Sequence, residues 1–174
     1  MSITELNASV AFDRYRAAFE EDRLVQGNWH TRGEDGRELA CALGSLDPAI
    51  NGRSDCPASV MPQWLARMVP WFFDCQAPED AKAWGLAFYA ELKRLDGKVP
   101  FGVVYDWHAN YTTVLAIEVS EKRNRPTEPH VKLQELHKRA LEGDRAPRDQ
   151  WRAILADAYA YAYAYAYAYA YAYA

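Results

Sequence analysis

The residues able to do chemistry in this sequence are few and scattered. Cys41, Cys56 and His108 supply thiols and an imidazole, and Asp106 stands two residues before the histidine, able to orient its ring. A thiol nucleophile needs a thiolate stabilised by a nearby base, and nothing in the spacing of these residues demands that arrangement. Cys41 lies in an apolar stretch and Cys56 beside Pro57, settings that suit small buried residues. His130 and His137 are seven apart and share one side of a helix. A metal pair wants i,i+3 or i,i+4 spacing or further ligands, so the two read as a solvated helix face. The chain shows no glycine-rich phosphate loop, no GxSxG elbow and no HExxH site. No catalytic residue, metal ligand or cofactor is assigned.

Three surfaces remain as binding candidates. The stretch "GNWHTRGEDG" (27–36) offers an aromatic platform and hydrogen-bonding groups in Trp29, His30 and Arg32, although Trp29 serves equally well as a staple of the loop to the core. Between Glu121 and Arg152 nine Lys/Arg stand against six Asp/Glu, which gives this stretch +3 in a chain of net charge -4. With the tyrosines that follow it could neutralise phosphates and stack bases, but the interleaved acids argue for an ion-paired surface and against nucleic acid. The third candidate is the alternating Ala/Tyr tail, with Tyr159, Tyr161, Tyr163, Tyr165, Tyr167, Tyr169, Tyr171 and Tyr173.

The elements that must position these residues read as helical. Ala8, Ala11, Phe12, Tyr15, Ala18 and Phe19 recur at helical spacing. A loop is expected over 26–36, then a short helix carrying Leu39, Ala42, Leu43 and Leu46. The stretch 64–73 is too apolar for a surface helix and belongs in the middle of the fold. The clearest helix spans about 78–95, with Ala81, Trp84, Phe88, Leu92 and Leu95 as its buried stripe and Gly97 as its stop. Over 101–119 the pattern is double: Tyr111, Thr113, Leu115, Ile117 and Val119 alternate like a strand, while Val104, Trp107, Tyr111, Val114 and Leu115 fit a helix. Helix is favoured there, because an isolated hairpin is marginal. Thr127 can cap a helix facing Leu133, Leu136 and Ala140 inward, and a last helix starts near Pro147.

As a strand the tail would reach roughly 56 Å at 3.3 Å per residue, with an exposed edge. As a helix it continues the preceding segment and uses alanine, the best helix former. Its tyrosines then fall into two i,i+4 rows roughly 200° apart with alanine grooves between them. Such a helix can pack on more than one side, although neutral expansion of a six-base repeat would leave the same sequence.

The expected architecture is mainly α: a compact helical domain over 1–146, then a long C-terminal helix over 147–174 that includes the tail. The alternative is α+β with a hairpin around 101–119. The roughly 150 residues ahead of the tail suit one core. Three cysteines, an odd number in no CxxC spacing, and a start without a charged-then-apolar leader point to a reduced, cytoplasmic setting. No apolar run approaches the roughly 20 residues of a membrane span.

The segments "CALG" (41–44), "CPASVMPQWL" (56–65) and "DWHANYTT" (106–113), followed by a repetitive alanine-rich C-terminus, resemble a group of uncharacterised proteins from phages and proteobacteria. The resemblance covers most of the domain. It implies a mobile-element setting and carries over no active site. Together these readings lead to a non-enzymatic interaction or assembly protein, binding itself or a host or phage protein through its tail. The alternative is a small Cys/His-dependent enzyme with its site near the Trp29–His30 loop.

Overall fold

The computed structural model of the chain describes residues 6–172, with side chains to residue 160. It is mainly helical, with one small antiparallel hairpin. The chain divides into two compact units between Val99 and Pro100, whereas the sequence pattern suggested a division at 146/147.

In the first unit, helix α1 (Ala8–Glu20) starts where the Asn7 side chain accepts hydrogen bonds from the Ser9 and Val10 amides, at 3.0 and 3.1 Å. That cap satisfies two of the donors a helix start leaves open. The helix buries Ala8, Ala11, Tyr15 and Ala18 against α4 (Pro78–Arg94). Pro78, Glu79 and Asp80 in the first turn of α4 and Lys93 and Arg94 in its last suit the helix ends electrostatically. Gly97 takes φ +69° just beyond, where a Cβ would strike the Val60 carbonyl.

The buried stripe of α4 is Ala81, Gly85, Tyr89 and Leu92, rotated from the expected Ala81, Trp84, Phe88, Leu92 and Leu95. Gly85 explains the rotation. Its missing side chain admits the Tyr15 ring, whose hydroxyl donates to the Lys82 carbonyl at 3.1 Å. Tyr89 stacks at a tilt on Tyr15, 4.8 Å between centroids, and donates to the Ala42 carbonyl at 2.8 Å. Trp84 and Phe88 stay half-buried at the rim, stacked on each other, with Trp84 reaching Phe72. Trp84 thus meets the 64–73 stretch as expected, half-buried and not fully buried.

That stretch forms two short helices, α2 (Gln63–Ala66) and α3 (Val69–Asp74). Leu65, Val69 and Phe73 enter the core, but Trp71 is turned to solvent. The core cluster draws on residues from Leu6 to Leu92, all in the first unit.

The loop expected over 26–36 and the helix expected over 39–46 resolve differently. His30–Arg32 (β1) pairs antiparallel with Glu38–Ala40 (β2), placing His30 opposite Ala40 and Arg32 opposite Glu38. Only Gly44–Leu46 is helical, as one 3-10 turn. Strands of three residues are too short to carry an alternating pattern. The turn decides the pairing: Gly36 takes φ +79° and Asp35 accepts from the Arg37 amide.

The second unit contains α5 (Gly102–Trp107), a π-helical turn (His108–Thr112) and α6 (Thr113–Lys122), joined end to end. The stretch 101–119 is therefore helical and forms no hairpin. The wider π-turn changes the carbonyl pairing, and side chains attend to it: Thr113 donates to the His108 carbonyl at 2.6 Å, and Gln134 to that of Ala109 at 2.8 Å. Helix α7 (Glu128–Leu141) packs on this rod. Thr127 occupies its N-cap position without making the expected side-chain cap bond, since its backbone is already helical. Leu136 and Ala140 face inward with Pro129 and His137, while Leu133 is half-buried. Gly143, at φ +91°, follows its end. Helix α8 (Arg148–Ala172) packs on α7 and continues unbroken into the tail.

Candidate interaction surface

His30 and Arg32 sit on β1 and line a cleft of about 920 Å³ with Arg14, Arg23, Ser45 and Asp47. Trp29 turns the other way. Its side chain packs half-buried on the core, and its carbonyl lies so close to Gly44 that a Cβ there would collide with it. It staples the hairpin down. The polar groups of the cleft are largely committed to partners within the protein: Arg14 to Asp47 at 2.8 Å, Arg23 to Glu21 at 2.6 Å, and the His30 Nε2 to the Ile50 carbonyl at 2.9 Å. Ser45 donates to the Ala42 carbonyl. The cleft can orient a small polar ligand, but no thiol lines it.

Cys41 and Cys56 are buried, and Cys75 is exposed. Burial pushes the Cys41 thiol up and that of Cys56 up to about 12, so both stay protonated near neutrality. They are core residues of the first unit, and His108 belongs to the second. Among the described residues no group of three or more His, Cys, Asp or Glu could hold a metal ion.

His137 corrects the expectation of a solvated histidine face: it is buried. Its ring stacks on His108 at 4.7 Å and meets Trp151 edge-on at 4.8 Å, with Tyr105 at 6.0 Å. Arg145 lies over Tyr105, and His108 Nδ1 is 2.7 Å from the Thr112 hydroxyl. The cluster thus joins α5, the π-turn, α7 and α8. The Nδ1 atom of His137 is buried without a hydrogen-bond partner. Burial, reinforced by His108, holds the His137 pKa down at about 4.

On the opposite side of the rod the apolar residues face outward. Val103, Trp107, Tyr111, Leu115 and Val119 recur every four residues, each 42–61% exposed. In an α-helix residues four apart overshoot a full turn by about 40°, so this row would wind about 160° around the axis. The π-turn absorbs about one extra residue, or about 100°, and brings the ends of the row back to within about 60° of each other. The inward residues Ala109, Thr113 and Ser120 are small or polar. The rod therefore shows five large apolar side chains to water, while Tyr105, Val114 and Ile117 are half-buried. The sequence pattern pointed to helix here, yet the four-residue spacing that marks the row was visible as well.

Of the tail tyrosines, Tyr159 is 64% exposed, and Leu155 four residues before it is exposed too. The side chains of Tyr161, Tyr163, Tyr165, Tyr167, Tyr169, Tyr171 and Tyr173 lie outside the described residues. Among the described residues, no helix is long and apolar enough to cross a membrane.

These features define a mainly helical protein of two units with apolar surface concentrated on the second. No family model matches the chain, and neither the curated proteins nor the solved structures yield a match.

Proposed function

We propose that the chain is a non-enzymatic interaction and assembly protein of a phage or other mobile element, working in the cytoplasm. Its Tyr/Ala C-terminal helix associates with itself or with a host or phage protein. The observation that carries this reading is α8, which leaves α7 as one unbroken helix and turns Leu155 and Tyr159 to solvent. Apolar surface of this kind marks a partner surface more often than an idle one. Burying several tyrosines at about 25 cal/mol per Å² gives enough driving force to offset the loss of rotational and translational freedom. The resemblance of the 41–44, 56–65 and 106–113 segments supplies the mobile-element setting.

Cutting the chain after Asp157 tests this reading. Light scattering should show a lower mass than the full chain, or a lost partner, while circular dichroism shows the rest still folded. Equal masses and unchanged partner capture would overturn it.

A second reading, a small enzyme at the Trp29–His30 loop, draws on the cleft that His30 and Arg32 line. In its Cys/His form it needs a thiolate, which the burial of Cys41 and Cys56 opposes. A specific loss of phenotype in Cys41→Ala, Cys56→Ala or His108→Ala, without unfolding, would favour it.

A further inference from the structure

We infer that the row Val103, Trp107, Tyr111, Leu115, Val119 is the interface between two copies of this chain, packed antiparallel about a two-fold axis at Tyr111. The inference rests on the assembly reading and names a contact for it separate from the tail. A closed two-fold contact requires a surface complementary to itself, with residue i meeting j and j meeting i. Five residues at equal spacing have a centre, here Tyr111, and reversing the row places Val103 against Val119, Trp107 against Leu115 and Tyr111 against Tyr111. Each cross-pair matches: the bulkiest side chain faces a flexible aliphatic one, and the ends meet as equals. A parallel copy would instead stack Trp107 on Trp107 in register. Trp107 also leans on the His108 ring at 5.0 Å, which fixes its place in the row.

The size agrees with a second copy. The row exposes on the order of 500 Å², within the range of about 300–600 Å² reached by the largest patch on ordinary monomers. Two copies would bury about 1,000 Å² together with the row wholly covered, the size of a weak, reversible pair and short of the roughly 1,200–2,000 Å² of stable ones. Beside the row run Asp106, Asn110, Glu118 and Lys122, all exposed. In the antiparallel pair this edge meets its own copy, bringing Asp106 near the second copy's Glu118, with Lys122 one turn beyond to offset the two acids.

The test uses the full chain. Leu115→Asp changes an exposed residue, so the helical signal should persist while light scattering falls from two chains to one. In a Cys75→Ser background, Tyr111→Cys should crosslink to itself under mild oxidation. Val103→Cys alone should not, but mixed with Val119→Cys it should. A Leu115→Asp chain that keeps its mass, or Val103→Cys that crosslinks as readily as Tyr111→Cys, overturns the inference. The tail reading fails separately: a chain cut after Asp157 that remains a dimer, with Leu115→Asp monomeric, sinks self-association through the tail and leaves this interface standing. The reverse pattern, with the cut chain monomeric and Leu115→Asp unaffected, places the contact on the tail and sinks this one.

Discussion

A methyl group added at residue 85 would land on the Tyr15 hydroxyl and the ring carbon that carries it. Gly85→Ala thus sets two effects against each other. Alanine favours a helix interior by about 1 kcal/mol over glycine, but overpacking a tight core costs about 1–3 kcal/mol. Tyr15 is fully buried, tied to Lys82 and stacked on Tyr89, so it has little room to retreat. The net expectation is a loss of about 1–2 kcal/mol and a melting temperature several degrees lower, read by thermal circular dichroism. A temperature unchanged or raised would mean that the two tyrosines move apart at little cost. The same contact explains what the sequence hid. Hydrophobic spacing selects Trp84 and Phe88 because they are large and apolar, and passes over a glycine. The stripe is phased instead by the gap that Gly85 leaves, which only the partner helix reveals. His137 was hidden likewise: a polar residue is buried by an aromatic neighbourhood drawn from distant parts of the chain.

The His108–His137 stack makes the second unit sensitive to acid at the level of whole helices. Above about pH 6.5 a histidine is neutral in both folded and unfolded chains, and stability is independent of pH on its account. Below that, the unfolded chain takes up a proton at His137 while the folded chain does not until about pH 4. Stability therefore falls as pH drops through this window, and the fall ends near the lower value. His108, also lowered by burial, acts in the same direction. The surrounding groups Tyr105, Trp151 and Arg145 offer the new charge no anionic partner. Urea titrations at pH 7.5, 5.5 and 4.5 should show the decline, and His137→Phe should flatten it. Equal stability at pH 7.5 and 4.5 would show that the ring reaches water freely. Among the elements, α1, α4, α7 and α8 were legible because long periodic segments average out local ambiguity. The hairpin was not, because Gly33 to Gly36 turns three-residue strands that carry no period of their own. Over 101–119 two periods competed because a four-residue apolar spacing, kept on one side by a π-turn, also supplies every second position of a strand.

At the scale of the whole molecule, the two units differ in how they hide apolar surface. The first gathers its core from Leu6 to Leu92, with both ends of that range inside the unit. A chain ending at Val99 should therefore unfold cooperatively by itself, and hydrogen exchange should protect the α1 and α4 amides in it as in the full chain. Broad, non-cooperative melting of that fragment would show that residues beyond 99 complete the core. At Val99/Pro100 the sequence shows a break, with Gly97, Pro100 and Gly102 within six residues, but such a break marks any loop, and the separation of contacts is what makes this one a boundary. The charge pattern was more informative: the ion pairs Lys132–Glu128 and Arg139–Asp144 bear out an ion-paired surface within the basic stretch.

The unbroken run of α8 into the Ala/Tyr repeat makes repeat number a measure of distance. Each added Ala-Tyr pair lengthens a helix by about 3 Å and turns its end by about 200°. A six-base gain or loss in the gene would thus change the length of this helix in even steps and leave the first unit untouched.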